Sequence, residues 1–215
     1  MDKYEVSQHI ENLGVIPVIR VASANEASAV IDAIAEGGID VFEITMTVPN
    51  AIELIDQISR KFDSALVGAG TVMDPETAER CIDAGARFVI SPALNLDTIA
   101  ACRRCDVVVM PGALTPTEIV TAWNAGADFV KVFPAGAVGG PNYIKNLLGP
   151  LPQVKIIPTG GVSLDNAGDF IRAGAKAVGL GTDLVDIKAV REGNAHLVSE
   201  RAKRLVETVK EARIK

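Results

Sequence analysis

The stretch Asn124-Ala-Gly-Ala-Asp-Phe-Val-Lys-Val-Phe-Pro134 runs from a helix end, through small residues, into an apolar strand. Three other segments are versions of the same phrase: Glu36-Gly-Gly-Ile-Asp-Val-Phe42, Asp83-Ala-Gly-Ala-Arg-Phe-Val89 and Arg172-Ala-Gly-Ala-Lys-Ala-Val178. Recurrence of this kind is what paired strand and helix units leave in a sequence. Working outward, apolar runs predict strands at 15–20, 40–45, 65–70, 87–92, 106–111, 129–134, 154–159 and 175–180, with the four phrases preceding the even-numbered ones. Helices fill the gaps. Their start signals are Asn25, which the spacing makes the N-cap of a helix ending at Glu36, Asn50, Asp74 with Pro75, and Thr115 with Pro116. Residues 3–13 carry Val6, Ile10 and Leu13 at helical spacing, with Gly14 to stop the helix, which can serve as a plug or as an outer brace. A long amphipathic helix is expected from about Ile187 to the C-terminus.

Strict alternation of strand and helix in 215 residues points to an α/β fold, a single-domain (β/α)8 TIM barrel with an extra N-terminal helix. The expected divisions are 1–14 for that helix, 15–186 for the barrel and 187–215 for the last helix. The competing arrangement, an open doubly wound sheet, lacks a G-x-G-x-x-G after its first strand.

Composition narrows the function. The chain is 48% hydrophobic and 22% charged with a net charge of -6, which argues against nucleic acid as a partner. No basic run could hold a membrane, and no apolar run reaches the length of a span. The first residues, Met1-Asp-Lys-Tyr-Glu5, are acidic and polar rather than basic and then apolar, so a cytoplasmic protein is expected. There are three cysteines, Cys81, Cys102 and Cys105, which should be free thiols. The single C-x-x-C at Cys102 and Cys105 admits a redox or zinc role. The two histidines, His9 and His196, lie near opposite ends of the chain, which favours instead two thiols on one helix.

The lysine in the opening stretch needs a reason. With Val130 and Val132 on one side of a strand, Phe129, Lys131 and Phe133 share the other. Burying an amine disfavours its charged form, which is one route by which lysine becomes a nucleophile. The alternative is a strand-end lysine that snorkels to water or pairs with a carboxylate. In a barrel the polar residues that count are those at the C-terminal strand ends facing inward. Glu43 and Thr45 qualify on the second strand, since Phe42 and Ile44 take the helix side. Arg20 closes the first strand, Thr71 follows the third, Pro92 the fourth, and Thr159 ends the seventh. A buried glutamate–lysine pair is a weak stabiliser, so its presence suits acid/base and imine chemistry better than structure. The threonines can equally be ordinary β-branched strand residues. Finally, Thr159-Gly160-Gly161-Val162-Ser163 and Gly179-Leu180-Gly181-Thr182 follow the last two strands, where bare backbone amides commonly hold phosphate.

Taken in order, Phe42-Glu-Ile-Thr45, Gly68-Ala-Gly-Thr-Val72, Ser91-Pro92, Met110-Pro-Gly112, Thr115-Pro-Thr-Glu118, Phe129-Val-Lys-Val-Phe-Pro134 and Pro158-Thr-Gly-Gly-Val162 resemble the 2-keto-3-deoxy-6-phosphogluconate (KDPG) aldolase family, also called 4-hydroxy-2-oxoglutarate aldolase, of class I. The resemblance runs from about Gly14 to the final helix. It implies that Lys131 forms a Schiff base and that Glu43 is the general acid/base. Thr71, Pro92, Phe133 and Thr159 would line the pyruvate pocket. Gly160, Gly161, Gly181 and Thr182 would meet the phosphate, Thr182 standing where many members have serine. One position departs: where many members carry an arginine that holds the substrate carboxylate, this chain has Thr47, and Arg20 is the expected replacement. The implied partner is a small keto-acid phosphate. No metal and no cofactor are expected, and the family is usually homotrimeric. Also open are the galactonate-derived epimer, an unphosphorylated 4-hydroxy-2-oxo acid, and a barrel that isomerises or only binds a sugar phosphate.

Overall fold

The structure, a computed structural model, describes residues 1–214, so the expected end of the last helix at Lys215 lies outside the described residues. Helix α1 (Lys3–Leu13) opens with a capping box in which Asp2 accepts from the Glu5 amide and Glu5 reaches back to the Asp2 amide, and it closes at left-handed Gly14. There follow β1 (Val15–Ile19), α2 (Ala24–Glu36), β2 (Val41–Thr45), α3 (Ala51–Lys61), β3 (Leu66–Gly70), α4 (Pro75–Asp83), β4 (Phe88–Ile90), α5 (Leu96–Arg104), β5 (Val108–Met110) and β6 (Gly112–Ala113). The second half comprises α6 (Pro116–Asn124), β7 (Val130–Val132), α7 (Pro141–Leu148), β8 (Ile156–Pro158), α8 (Ala167–Arg172), β9 (Val178–Leu180), α9 (Ile187–Arg191) and α10 (His196–Ile214).

The strands pair in parallel, in a six-stranded sheet of order β5-β4-β3-β2-β1-β9 and a three-stranded sheet of order β6-β7-β8. One continuous eight-stranded ladder was expected, and the ladder found is interrupted. The expected fifth strand, 106–111, is found as β5, and pairing resumes beyond its expected end as β6, the break falling at Pro111, which has no amide hydrogen to carry the pairing through, although its carbonyl still accepts from Lys131. Between β8 and β9 the pairing reduces to one parallel bridge, Thr159 to Gly179. There the Thr159 side chain fills the space above Gly179, where a Cβ would lie 3.3 Å from Thr159 Cβ.

Two layers of apolar residues separate cleanly. Phe42, Ile44, Val130 and Val132 face the helices in the larger cluster. Ile16, Val41, Leu66, Phe88, Val108, Phe129 and Ile157 form a second, inner cluster to which Val6 and Ile10 of α1 also belong, with half-buried Leu13 packed against it. Strands of both sheets contribute to this inner cluster, and α1 packs into it as a plug rather than bracing the outer helices. Since α1 leads directly into β1 through Gly14, the plug sits at the N-terminal end of the strands and leaves their C-terminal ends open.

Local details differ from the sequence expectations in three places. Ser23, not Asn25, caps α2: its extended backbone lets Oγ accept from the Glu26 amide. Asn50 stands at the start of α3 in a left-handed conformation and makes no side-chain cap. The expected long C-terminal helix is two helices, α9 capped by Asp186 and α10, with left-handed Gly193 between them.

Candidate active site

The pleat of β2 alternates Val41, Glu43 and Thr45 inward with Phe42 and Ile44 outward, and β7 does the same with Lys131 between Val130 and Val132. Both charged groups are consequently in the interior. Lys131 is 6% exposed and Glu43 1%. Lys131 Nζ lies 3.6 Å from Glu43 Oε1 and 5.6 Å from the centroid of the Phe133 ring. Glu43 Oε1 is buried with no hydrogen-bond partner. An unpaired buried carboxylate oxygen is expensive, and 3.6 Å from an amine it is placed to exchange protons with a group that enters between them.

Glycine makes this arrangement sterically possible. Gly70, paired with Thr45 on β3, lies under the Glu43 side chain, where a Cβ would lie 2.5 Å from Glu43 Cγ and overlap Oε1. Gly112 pairs in register with Lys131, and its missing side chain admits the Pro92 backbone, a Cβ there falling 2.6 Å from the Ala93 amide. Ser91 fixes the same corner, its hydroxyl donating to Ala93 O at 2.7 Å and accepting from the Gly112 amide at 3.4 Å. Pro92 thus sits against the strand pair that carries Lys131.

Thr45 faces inward as expected but is spent on structure, its hydroxyl donating to Ile19 O at 3.0 Å and lying 2.7 Å from Thr47 Oγ1. Thr71 adopts φ 59°, a strained conformation for a β-branched residue. Its hydroxyl accepts from Arg20 Nη2 at 3.4 Å, which turns the exposed guanidinium from the end of β1 towards the end of β3.

A cavity of about 270 Å³ opens beside this cluster. Arg20, Phe133, Thr159, Gly160, Gly161, Gly181 and Thr182 all line it, together with Val18, Val162, Gly179, Asp183 and Val185. Lys131 and Glu43 are not on its wall, nor are Thr71 and Pro92. Phe133 connects the two parts, because its ring both walls the cavity and lies close to Nζ. A larger cleft of about 690 Å³, around Glu11, Lys176 and Arg213, lies at the plugged end, away from Lys131. Sequence reasoning missed Asp183 on the cavity wall and Asn166 behind the glycine turn. The Ser163-x-x-Asn166 spacing, a side-chain turn signature, was the one available hint.

The thiols take no part in this site. All three are unpaired, Cys81 and Cys102 buried and Cys105 exposed. Burial pushes the Cys102 thiol up to about 12 and Cys81 to about 11, so both stay protonated and inert at neutral pH. Cys105 falls just past the end of α5 rather than on it.

Comparison with known proteins gives a consistent set of likenesses. Residues 6–200 match the family model described as KDPG and KHG aldolase. A KHG/KDPG aldolase of Escherichia coli K12 is 33% identical over 196 residues, covering 91% of this chain and 92% of that protein. A 2-dehydro-3-deoxy-6-phosphogalactonate aldolase of the same organism is 36% identical over 174 residues, covering 80% and 84%. Among solved structures, the KDPG aldolase of Legionella pneumophila, with pyruvate captured as a covalent carbinolamine, superposes with a TM-score of 0.86 at 31% identity, covering 93% of this chain and 97% of that one.

Proposed function

The chain belongs to the KDPG and KHG aldolase family, and from that premise we propose that it is a class I aldolase using Lys131 as the imine-forming nucleophile and Glu43 as its general acid/base. The observation that carries the reading is the buried pair itself: an amine 3.6 Å from a carboxylate oxygen that has no other partner. We also read the two sheets as one (β/α)8 barrel interrupted at Pro111 and at Thr159, a reading supported by the single inner cluster drawn from strands of both.

Lys131 Nζ adds to the C2 ketone of the substrate, and Glu43 supplies and removes the protons that convert the carbinolamine into an iminium ion with loss of water. The iminium is the electron sink. Glu43 then takes the C4 hydroxyl proton, the C3–C4 bond breaks, and the aldehyde leaves while its bonding electrons pass into a pyruvate enamine. Protonation of that enamine at C3 and hydrolysis of the imine release pyruvate and restore Lys131. KDPG would give pyruvate and glyceraldehyde 3-phosphate; 4-hydroxy-2-oxoglutarate would give pyruvate and glyoxylate.

The same reading divides the substrate between two places. Thr71, Pro92, Phe133 and Thr159 surround the pyruvate half, and Gly160, Gly161, Gly181 and Thr182 receive the phosphate on exposed backbone. Arg20 takes the substrate carboxylate in place of an arginine at Thr47, whose hydroxyl is engaged with Thr45. Arg20→Ala is expected to raise KM for pyruvate-type substrates by about 10- to 100-fold with a smaller change in kcat, the scale of a lost charge-assisted contact. An unchanged KM would remove Arg20 from carboxylate binding, and a rise confined to phosphorylated substrates would assign it to the phosphate.

Coupled measurement of pyruvate release in the presence of EDTA tests the proposal. Turnover is expected to persist, with kcat/KM for KDPG above that for 4-hydroxy-2-oxoglutarate; loss of activity to the chelator would contradict metal-free imine chemistry. The galactonate epimer belongs in the same series, because the relative named for it is 36% identical to this chain.

A further inference from the structure

We infer that Asn166 and Asp183, neither of which touches the reacting atoms, are positioning residues that hold the two glycine loops in the shape needed to receive a phosphate monoester tail. The inference rests on the aldolase reading of the site and concerns how its anion subsite is kept in register.

Gly160 and Gly161 are consecutive left-handed residues, with φ 77° and 84°. Positive φ at both positions makes a tight turn, and successive backbone N–H groups in a turn can form a concavity that suits an anion. Both glycine carbonyls are held from elsewhere: Gly160 O accepts from the Gly136 amide at 2.8 Å, and Gly161 O accepts from Asn166 Nδ2 at 2.9 Å. The same Asn166 side chain accepts from the Ser163 amide through Oδ1 at 2.8 Å. One carboxamide therefore bridges the two ends of the turn, which requires a donor and an acceptor in one planar group. Among the described residues, the Gly161 and Val162 amides donate to no protein group and remain available to a ligand.

Asp183 does the corresponding work between the loops. Its Oδ2 accepts from the Leu164 amide at 3.0 Å, tying the loop after β9 to the loop after β8, and its own carbonyl accepts from Arg201 of α10 at 3.3 Å. Yet Asp183 also lines the cavity, where a negative charge opposes a phosphate. A carboxylate in that place is accounted for by its hold on Leu164, and that role and its charge act on phosphate affinity in opposite directions. Asp183→Asn keeps an oxygen for the Leu164 amide and removes only the charge; Asp183→Ala removes both.

The test uses inorganic phosphate as a competitive inhibitor alongside KM for a phosphorylated and an unphosphorylated 4-hydroxy-2-oxo acid. Asn166→Ala is expected to raise the inhibition constant for phosphate and KM for the phosphorylated acid by about tenfold, the scale of a lost hydrogen bond and the order it imposes, and Asp183→Ala should raise both by a similar factor relative to Asp183→Asn, which shares its loss of charge. KM for the unphosphorylated acid should move by less than about twofold, and Asp183→Asn should bind phosphate at least as well as the parent. A reduced pyruvate adduct in each variant shows that the interior site is folded. If Asp183→Ala behaves like Asp183→Asn, or Asn166→Ala leaves phosphate inhibition unmoved, the positioning role is overturned. If the parent protein itself is not inhibited by phosphate, the anion subsite falls, and the positioning role with it.

Discussion

Lys131→Met is expected to lower turnover on the order of 10⁴-fold or more, because it deletes the nucleophile while keeping the volume of a long, unbranched side chain. The size of the effect follows from where the lysine sits. No other amine is placed on the Glu43 carboxylate: among the described residues, the ion pairs of Lys3, Lys61, Lys155 and Lys188 all lie with Asp128, Asp32, Glu11 and Glu192 instead. Without the amine the substrate ketone has no route to an iminium, and cleavage of the C3–C4 bond would have to leave an unstabilised enolate. The substitution also strips a buried carboxylate of the one cationic partner it has among the described residues, so a lower unfolding midpoint should accompany the lost activity. Residual turnover within tenfold of the parent would show that the amine only contacts the substrate.

Glu43→Gln should behave differently. Glutamine preserves the shape above Gly70, so the variant folds around the same packing, but it cannot accept the C4 hydroxyl proton. Turnover is expected to fall by about 10²- to 10⁴-fold, the usual range for loss of a positioned acid/base. Imine formation with pyruvate should slow but persist, since Lys131 remains. The separation between the two variants is informative: Lys131→Met loses both adduct and turnover, whereas Glu43→Gln loses mainly turnover. Parent-like turnover in Glu43→Gln would remove Glu43 from the proton work.

Much of this site could be read from residue order because it depends on strand periodicity. Once Val130 and Val132 are assigned outward, Lys131 must face inward, and the same argument on Phe42 and Ile44 places Glu43. The repeated helix-end phrases similarly exposed the alternation of strand and helix. What resisted reading depends on a single backbone atom or on a contact between distant loops. Pro111 reads as the last residue of a strand, but pairing resumes after it at Gly112–Ala113, and its missing amide hydrogen marks only a break between two short strands. Gly193 was a small interruption in a long amphipathic pattern, and it ends one helix before another begins. Ser23 and Asn25 are both good caps, and only the extended backbone at Ser23 decides between them. Asn166 and Asp183 act on main-chain groups of loops that become neighbours only after β8 and β9 are brought together, so neither stood out as polar residues at strand ends.

The most direct measurement is borohydride reduction in the presence of pyruvate, followed by mass mapping of the peptides. The account predicts one pyruvate-derived adduct, on Lys131, present in the parent and in Glu43→Gln and absent in Lys131→Met. No adduct, or one carried by a different lysine, would contradict it.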